Sequence, residues 1–127
     1  MTIMRVFGSL FVFAAIALGA AIPAHAQDAE AGMKVFKSQC SICHSSLAGK
    51  NMIGPSLAGV VGRQSGQIEG FHYSAANLAA HVTWDEATLS KYLAAPKQVV
   101  PGTIMMYAGL KDDKQRADLI AYLVTLK

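Results

Sequence analysis

With two cysteines in 127 residues, the chain lacks the thiols of a disulfide framework. It also lacks the soft donors of a structural zinc site, because the only other candidate ligands of that kind are His25, His44, His72 and His81. No βαβ pattern surrounds the cysteines, which argues against a thiol–disulfide oxidoreductase. Charge of one sign is scarce too: eleven Lys and Arg oppose eight Asp and Glu, too even a balance for a nucleic-acid surface. Long apolar runs are limited to one, Val6 to Ile22, which follows Arg5 and leads to Ala24-His25-Ala26, a small-x-small cleavage signature. Residues 1–26 therefore read as an export signal, with residues 27–127 as the mature domain and no role for His25. The competing reading is an uncleaved anchor, since the run approaches the roughly 18 to 20 residues a spanning helix needs.

The two cysteines stand in Cys40-Ser41-Ile42-Cys43-His44, the attachment spacing of a c-type heme. On one helical turn, positions i and i+3 share a face, so both sulfurs can bond the vinyl groups of one porphyrin. The next residue carries its imidazole under the ring as a proximal iron ligand. Export agrees with this use of thiols, which an oxidising compartment would otherwise join as a disulfide. The mature chain, 127 less 26 or 101 residues, is one small domain with limited core, and a flat apolar macrocycle would supply much of its interior.

Every element along that domain reads as helical or irregular. Asp28 caps a helix running to about Cys40, with Glu30 near its positive end and Gly32 and Phe36 on one face. From Ser45 to His72 periodicity stops, and six of the eleven glycines fall there with Pro55. A loop this long in a compact domain signals a binding loop, with Ile53, Leu57 and Val60 as residues to face a ring. Tyr73 to His81 reads as a short helix started by Ser74. Thr83 and Glu86 form a capping box for a helix through Leu89, Tyr92 and Leu93, ended by Pro96. Asp112 and Gln115 open a last helix whose Leu119, Tyr122, Leu123 and Leu126 are the partners for Gly32 and Phe36. His72 and His81 read as solvated histidines.

A heme iron held by one histidine needs its sixth position explained. Met105 and Met106, in an apolar loop from Val99 to Leu110, supply a thioether, and a Met/His pair is the electron-transfer arrangement. Chemistry alone does not choose between the two.

The loop Pro101-Gly102-Thr103-Ile104-Met105 with Tyr107-Ala108-Gly109 resembles the methionine-ligand loop of the small soluble class I cytochromes c, the family of the mitochondrial protein, and the similarity covers nearly all the mature chain. The resemblance implies an all-α fold in which N- and C-terminal helices pack together while shorter helices and long loops wrap one covalent heme c. It selects Met105 as the iron ligand opposite His44. It gives the Pro55 carbonyl, in Gly54-Pro55-Ser56-Leu57, the His44 ring nitrogen as donor. It makes Arg63, Tyr73 and Trp84 the holders of the heme propionates, and Asn77, Tyr92 and Thr103 a polar network beside the methionine sulfur. The residue types suit these tasks, since a buried carboxylate is costly unless it is hydrogen-bonded. With both axial positions filled, no site is open to substrate, and the expected role is a monomeric, non-enzymatic periplasmic electron carrier. Its partners would be redox proteins (a respiratory membrane complex, oxidase, reductase or dehydrogenase), with no nucleic acid and only transient contact at membrane complexes. Two other roles stand beside it: a dedicated heme subunit of a larger dehydrogenase or oxidase, or a small-ligand and peroxide-reactive protein should Met105 leave the iron readily.

The chain departs from the family at the lysines that ring the heme edge. Gln39, Met52, Gln98 and Ile104 replace lysine there, while Lys34, Lys50, Lys97 and Lys111 remain. The expectation is a docking face that is more apolar than the family pattern, centred on Met52, Ile53 and Ile104, and Lys97 as the residue that replaces Met105 at high pH.

Overall fold

A computed structural model of the chain describes residues 27–127. The expected export signal, its cleavage after Ala26 and His25 lie outside the described residues. The helices are α1 (Ala29–Val35), α2 (Ala75–Ala80), α3 (Glu86–Ala94), the single turn α4 (Pro96–Val99) and α5 (Asp113–Thr125), and no β-strand longer than an isolated bridge occurs among the described residues. None of these helices is long and apolar enough to cross a membrane.

Asp28 caps α1 through its carboxylate, which accepts from the Glu30 and Ala31 N–H groups at 2.9 and 3.1 Å. The helix does not run on as a regular α-helix to Cys40. From Phe36 to Cys40 it widens into a π-turn, closed where the Ser41 N–H reaches back five residues to the Phe36 carbonyl at 2.9 Å. Such a widening shifts the helix face and recurs at functional sites.

The terminal helices pack against each other at Gly32. A Cβ built there would lie 1.9 Å from the Asp118 carbonyl oxygen and 2.9 Å from Tyr122 Cβ, so glycine is what lets α1 and α5 meet. Phe36 fills the adjacent space with its ring 5.3 Å from that of Tyr122. Leu119, Ile120 and Leu123 of α5 are buried beside it, each contributing about 1.5 to 3 kcal/mol relative to exposure. Asp118 closes the contact from the polar side: its carboxylate accepts from the Asp28 N–H at 2.9 Å and from Lys114 Nζ at 2.6 Å.

Two helix starts differ from the sequence expectation. Helix α3 is capped by Asp85, which accepts from the Thr88 N–H at 2.7 Å. Thr83 is instead paired with Gln64 in an isolated antiparallel bridge, flanked by Ser65 N–H to Val82 O at 2.8 Å and Gly62 N–H to Trp84 O at 2.9 Å. A threonine able to cap a helix was drawn into backbone pairing because the long loop needed a partner for its N–H groups. Pro96 ends α3, and it also opens α4 at the first helical position, where its missing N–H costs nothing. Helix α2 spans Ala75 to Ala80 under a Ser74 cap and stops at His81, whose φ of 50° is left-handed. His72 and His81 are both exposed, consistent with solvated histidines.

Candidate heme site

Cys40, Cys43 and His44 sit in the turn that follows the π-widened helix end. The N–H groups of Cys43 and His44 both donate to the Cys40 carbonyl, at 3.0 and 2.9 Å. One carbonyl thus closes an i,i+3 and an i,i+4 turn, the helical bonding that places both sulfurs on one side. Both thiols are free and half-buried. Burial, with Cys43 beside it, pushes the Cys40 thiol up to about 11, the opposite of the lowered value that a thiol–disulfide enzyme needs.

The His44 ring is fixed by its own loop. Its Nδ1–H donates to the Pro55 carbonyl at 2.8 Å; because a carbonyl only accepts, Nδ1 carries the proton and Nε2 keeps its lone pair. Burial holds the imidazole below its ordinary value, only partly offset by the Pro55 bond, which favours the neutral form that a metal binds. The carbonyl is aimed by its neighbours: Ser56 N–H donates to Asn51 Oδ1 at 3.0 Å, and the Ser56 hydroxyl donates to Leu47 O at 2.7 Å. Gly54 is the residue that sequence reasoning underrated. Its N–H donates to Cys43 O at 2.7 Å, and a Cβ there would lie 2.3 to 2.8 Å from three atoms of the His44 ring. A glycine directly before the proline of this loop is the signal that points to it.

On the other wall the structure separates the two methionines. Met106 is 99% exposed, whereas Met105 is half-buried against the core. The Tyr92 hydroxyl donates to the Met105 sulfur at 3.6 Å, and the Met105 N–H donates to Thr103 Oγ1 at 3.2 Å. Thr103 is buried, and burial raises the Tyr92 hydroxyl above its ordinary value while a bond to Thr103 draws it back. Tyr92, Thr103 and Met105 are therefore one cluster. Asn77 is half-buried and enters it through no hydrogen bond; its N–H donates to Ser74 Oγ at 3.2 Å.

The expected propionate holders lie along the long loop and its bridge. Trp84 is buried with its ring 4.6 Å from that of Tyr92. The Arg63 guanidinium donates to Ala58 O at 2.8 Å and Ser56 O at 3.3 Å, and burial lowers it from its ordinary value, opposed by nearby Tyr73. The Tyr73 hydroxyl accepts from the Ile68 N–H at 3.1 Å. Of the three apolar loop residues, Val60 is buried in the core and Leu57 packs against it, while Ile53 is 79% exposed. The Met52 N–H bonds to the Gly54 carbonyl across it at 2.9 Å. A cleft of about 690 Å³ runs beside the methionine loop, lined by Pro96, Lys97, Ile104, Met105, Tyr107 and Lys111 among others; His44 and the cysteines are not part of its wall.

These residues fit a covalent heme: paired thiols on one turn, an imidazole with a free Nε2, a half-buried thioether, and apolar side chains between. Comparison with known proteins gives the same answer independently. The Cytochrome c family model matches residues 29–127. Cytochrome c2 of Blastochloris viridis is 51% identical over 119 residues, 93% of this chain and 89% of that protein, and cytochrome c of Euglena viridis is 51% identical over 100 residues, 79% and 98% of the two chains. The solved structure of cytochrome cH from Methylobacterium extorquens superposes with a TM-score of 0.73 at 45% identity, covering 77% of this chain and 98% of that one. Identity of this order over most of both chains reaches beyond shared architecture: the chain belongs to the cytochrome c family, as a small class I electron carrier that works with redox partners and binds one heme c covalently through Cys40 and Cys43.

Proposed function

We propose that the protein is a diffusible periplasmic one-electron carrier whose heme iron takes His44 and Met105 as its axial ligands. The observation that carries the ligand pair is how each side chain is held: Nδ1–H of His44 bonded to Pro55 with Nε2 free, and the Met105 thioether half-buried under the Tyr92 hydroxyl while Met106 stands in water. Bound heme supplies one-electron redox chemistry at its iron, and a thioether ligand raises its potential by favouring the ferrous state. The chain's part is to bind, orient and keep water out. Arg63, Tyr73 and Trp84 serve the propionates. Arg63 is oriented by its two carbonyl bonds, Tyr73 accepts from Ile68 and so keeps its own proton to donate, and the Trp84 indole N–H is a further donor. Asn77 joins Tyr92 and Thr103 beside the sulfur, supported by the packing of Ala76 of α2 against Gly102 of the methionine loop. Periplasmic location rests on the export signal read in residues 1–26, and no substrate turnover is assigned.

Spectra of the purified holoprotein in both redox states test this reading. A six-coordinate low-spin spectrum with a methionine–iron band in the ferric form is expected, lost in Met105→Ala and kept in Met106→Ala. Retention of the band in Met105→Ala would reassign the ligand, and a five-coordinate resting iron would move the protein to the ligand- and peroxide-reactive role. Recovery from the periplasmic fraction with Gln27 as the first residue checks the location.

A further inference from the structure

The loop that carries Met105 is loosely tied. Among the described residues, the N–H and carbonyl groups of Ile104, Met106, Tyr107, Ala108 and Gly109 form no hydrogen bond. Its ends are anchored on one side of the molecule only, through Thr103 N–H to Val100 O at 3.0 Å and Leu110 N–H to Leu93 O at 2.7 Å. A single bond joins it to the opposite wall. The Tyr107 hydroxyl donates to Gln39 Oε1 at 2.6 Å, across 68 residues of sequence, and among the described residues it is the only hydrogen bond between segments 101–110 and 36–44. Tyr107 is two residues from Met105, and Gln39 directly precedes Cys40. The tyrosine ring is half-buried against the core, which limits where its hydroxyl can move.

We propose that Tyr107 and Gln39 are a latch that keeps the methionine loop closed against the heme-attachment segment, so that the Met105 thioether leaves the iron only when this bond opens. The proposal rests on the ligand assignment made above. Neither residue reaches the iron; both are positioning residues. Their work is to keep the sixth position shut to small molecules such as imidazole or peroxide, which is what separates a carrier from a ligand-binding heme protein. A latch of this kind sets the rate of local opening, and its loss lowers global stability by no more than the same one hydrogen bond.

Stopped-flow binding of imidazole to the ferric holoprotein reads the opening rate as the plateau at saturating imidazole. Tyr107→Phe, which keeps the ring and loses the hydroxyl, and Gln39→Leu, which loses the acceptor, are each expected to raise that plateau about 3- to 10-fold, the factor that corresponds to one hydrogen bond of ordinary net strength. Gln39→Glu retains an acceptor oxygen and stays near the parent rate. The double variant Tyr107→Phe/Gln39→Leu is no faster than either single change, and the loss in denaturant unfolding is no larger than the single hydrogen bond that the plateau ratio measures. Parent-like plateaus in both single variants would overturn the latch. If the parent spectrum shows no methionine–iron bond, the ligand assignment is what fails, and the latch is then decided by amide exchange at Met105 and Leu110. Exchange accelerated in both single variants supports it, and unchanged exchange refutes it.

Discussion

Gly54 shows how much one missing atom decides at the site. Its Cβ position is already occupied by the His44 ring, so Gly54→Ala must push the imidazole away or break its bond to Pro55. We expect the ferric holoprotein to lose about 1 to 3 kcal/mol in denaturant unfolding, the usual cost of overpacking, together with a perturbed spectrum. An alanine variant with parent stability and spectrum would show that the imidazole has room to spare. The attachment residues themselves were legible in the sequence, because five consecutive positions carry the tether and the proposed first ligand. The choice of Met105 over Met106 was not legible from chemistry alone. It needed the family resemblance, and the structure supports it by burying one thioether and exposing its neighbour.

Among the elements, the α1–α5 contact carries the largest expected effects. Gly32→Ala would place a methyl group 1.9 Å from the Asp118 carbonyl, and parting the two helices is expected to cost about 3 kcal/mol, at the upper end for overpacked contacts, as read in the denaturant midpoint. Asp118 gives the same contact a pH dependence. The Lys114 ammonium and the Asp28 N–H hold its carboxyl below the usual aspartate range. A native value below the unfolded one means that the charged form stabilises the fold at and above the ordinary aspartate range, and that this contribution fades as pH falls through the native value. Asp118→Asn should therefore be less stable than the parent at neutral pH, with the gap closing on acidification. A gap that stays constant from about pH 7 to pH 3 would exclude the linkage. The helices were largely visible as periodic apolar positions with caps. The π-widened end of the first and the displaced start of α3 were not; the latter follows from Thr83 pairing with distant Gln64.

For the whole molecule, the exposed apolar side chains around the site bear on how a partner docks. Met52, Ile53 and Ile104, the expected centre of the docking face, are all exposed, as are Ile42 and Met106. Small redox interfaces are sensitive to a few such residues. We expect electron-transfer rates with a protein partner to fall only weakly between low and physiological ionic strength, because apolar contact is unscreened while charge steering is lost within a Debye length of about 8 to 10 Å. A steep decline would show that the remaining lysines govern docking.

By itself the sequence determined the cofactor and its tether, along with the helical class, since these depend on residues adjacent in the chain or repeating at a helical period. What only the tertiary structure decided needs particular distant groups to meet: the Asp118 carbonyl over Gly32, Gly54 under His44, Thr83 beside Gln64, and Tyr107 on Gln39. Local chemistry constrains what each residue can offer. Only packing selects, among many chemically acceptable partners, the one that lies within reach.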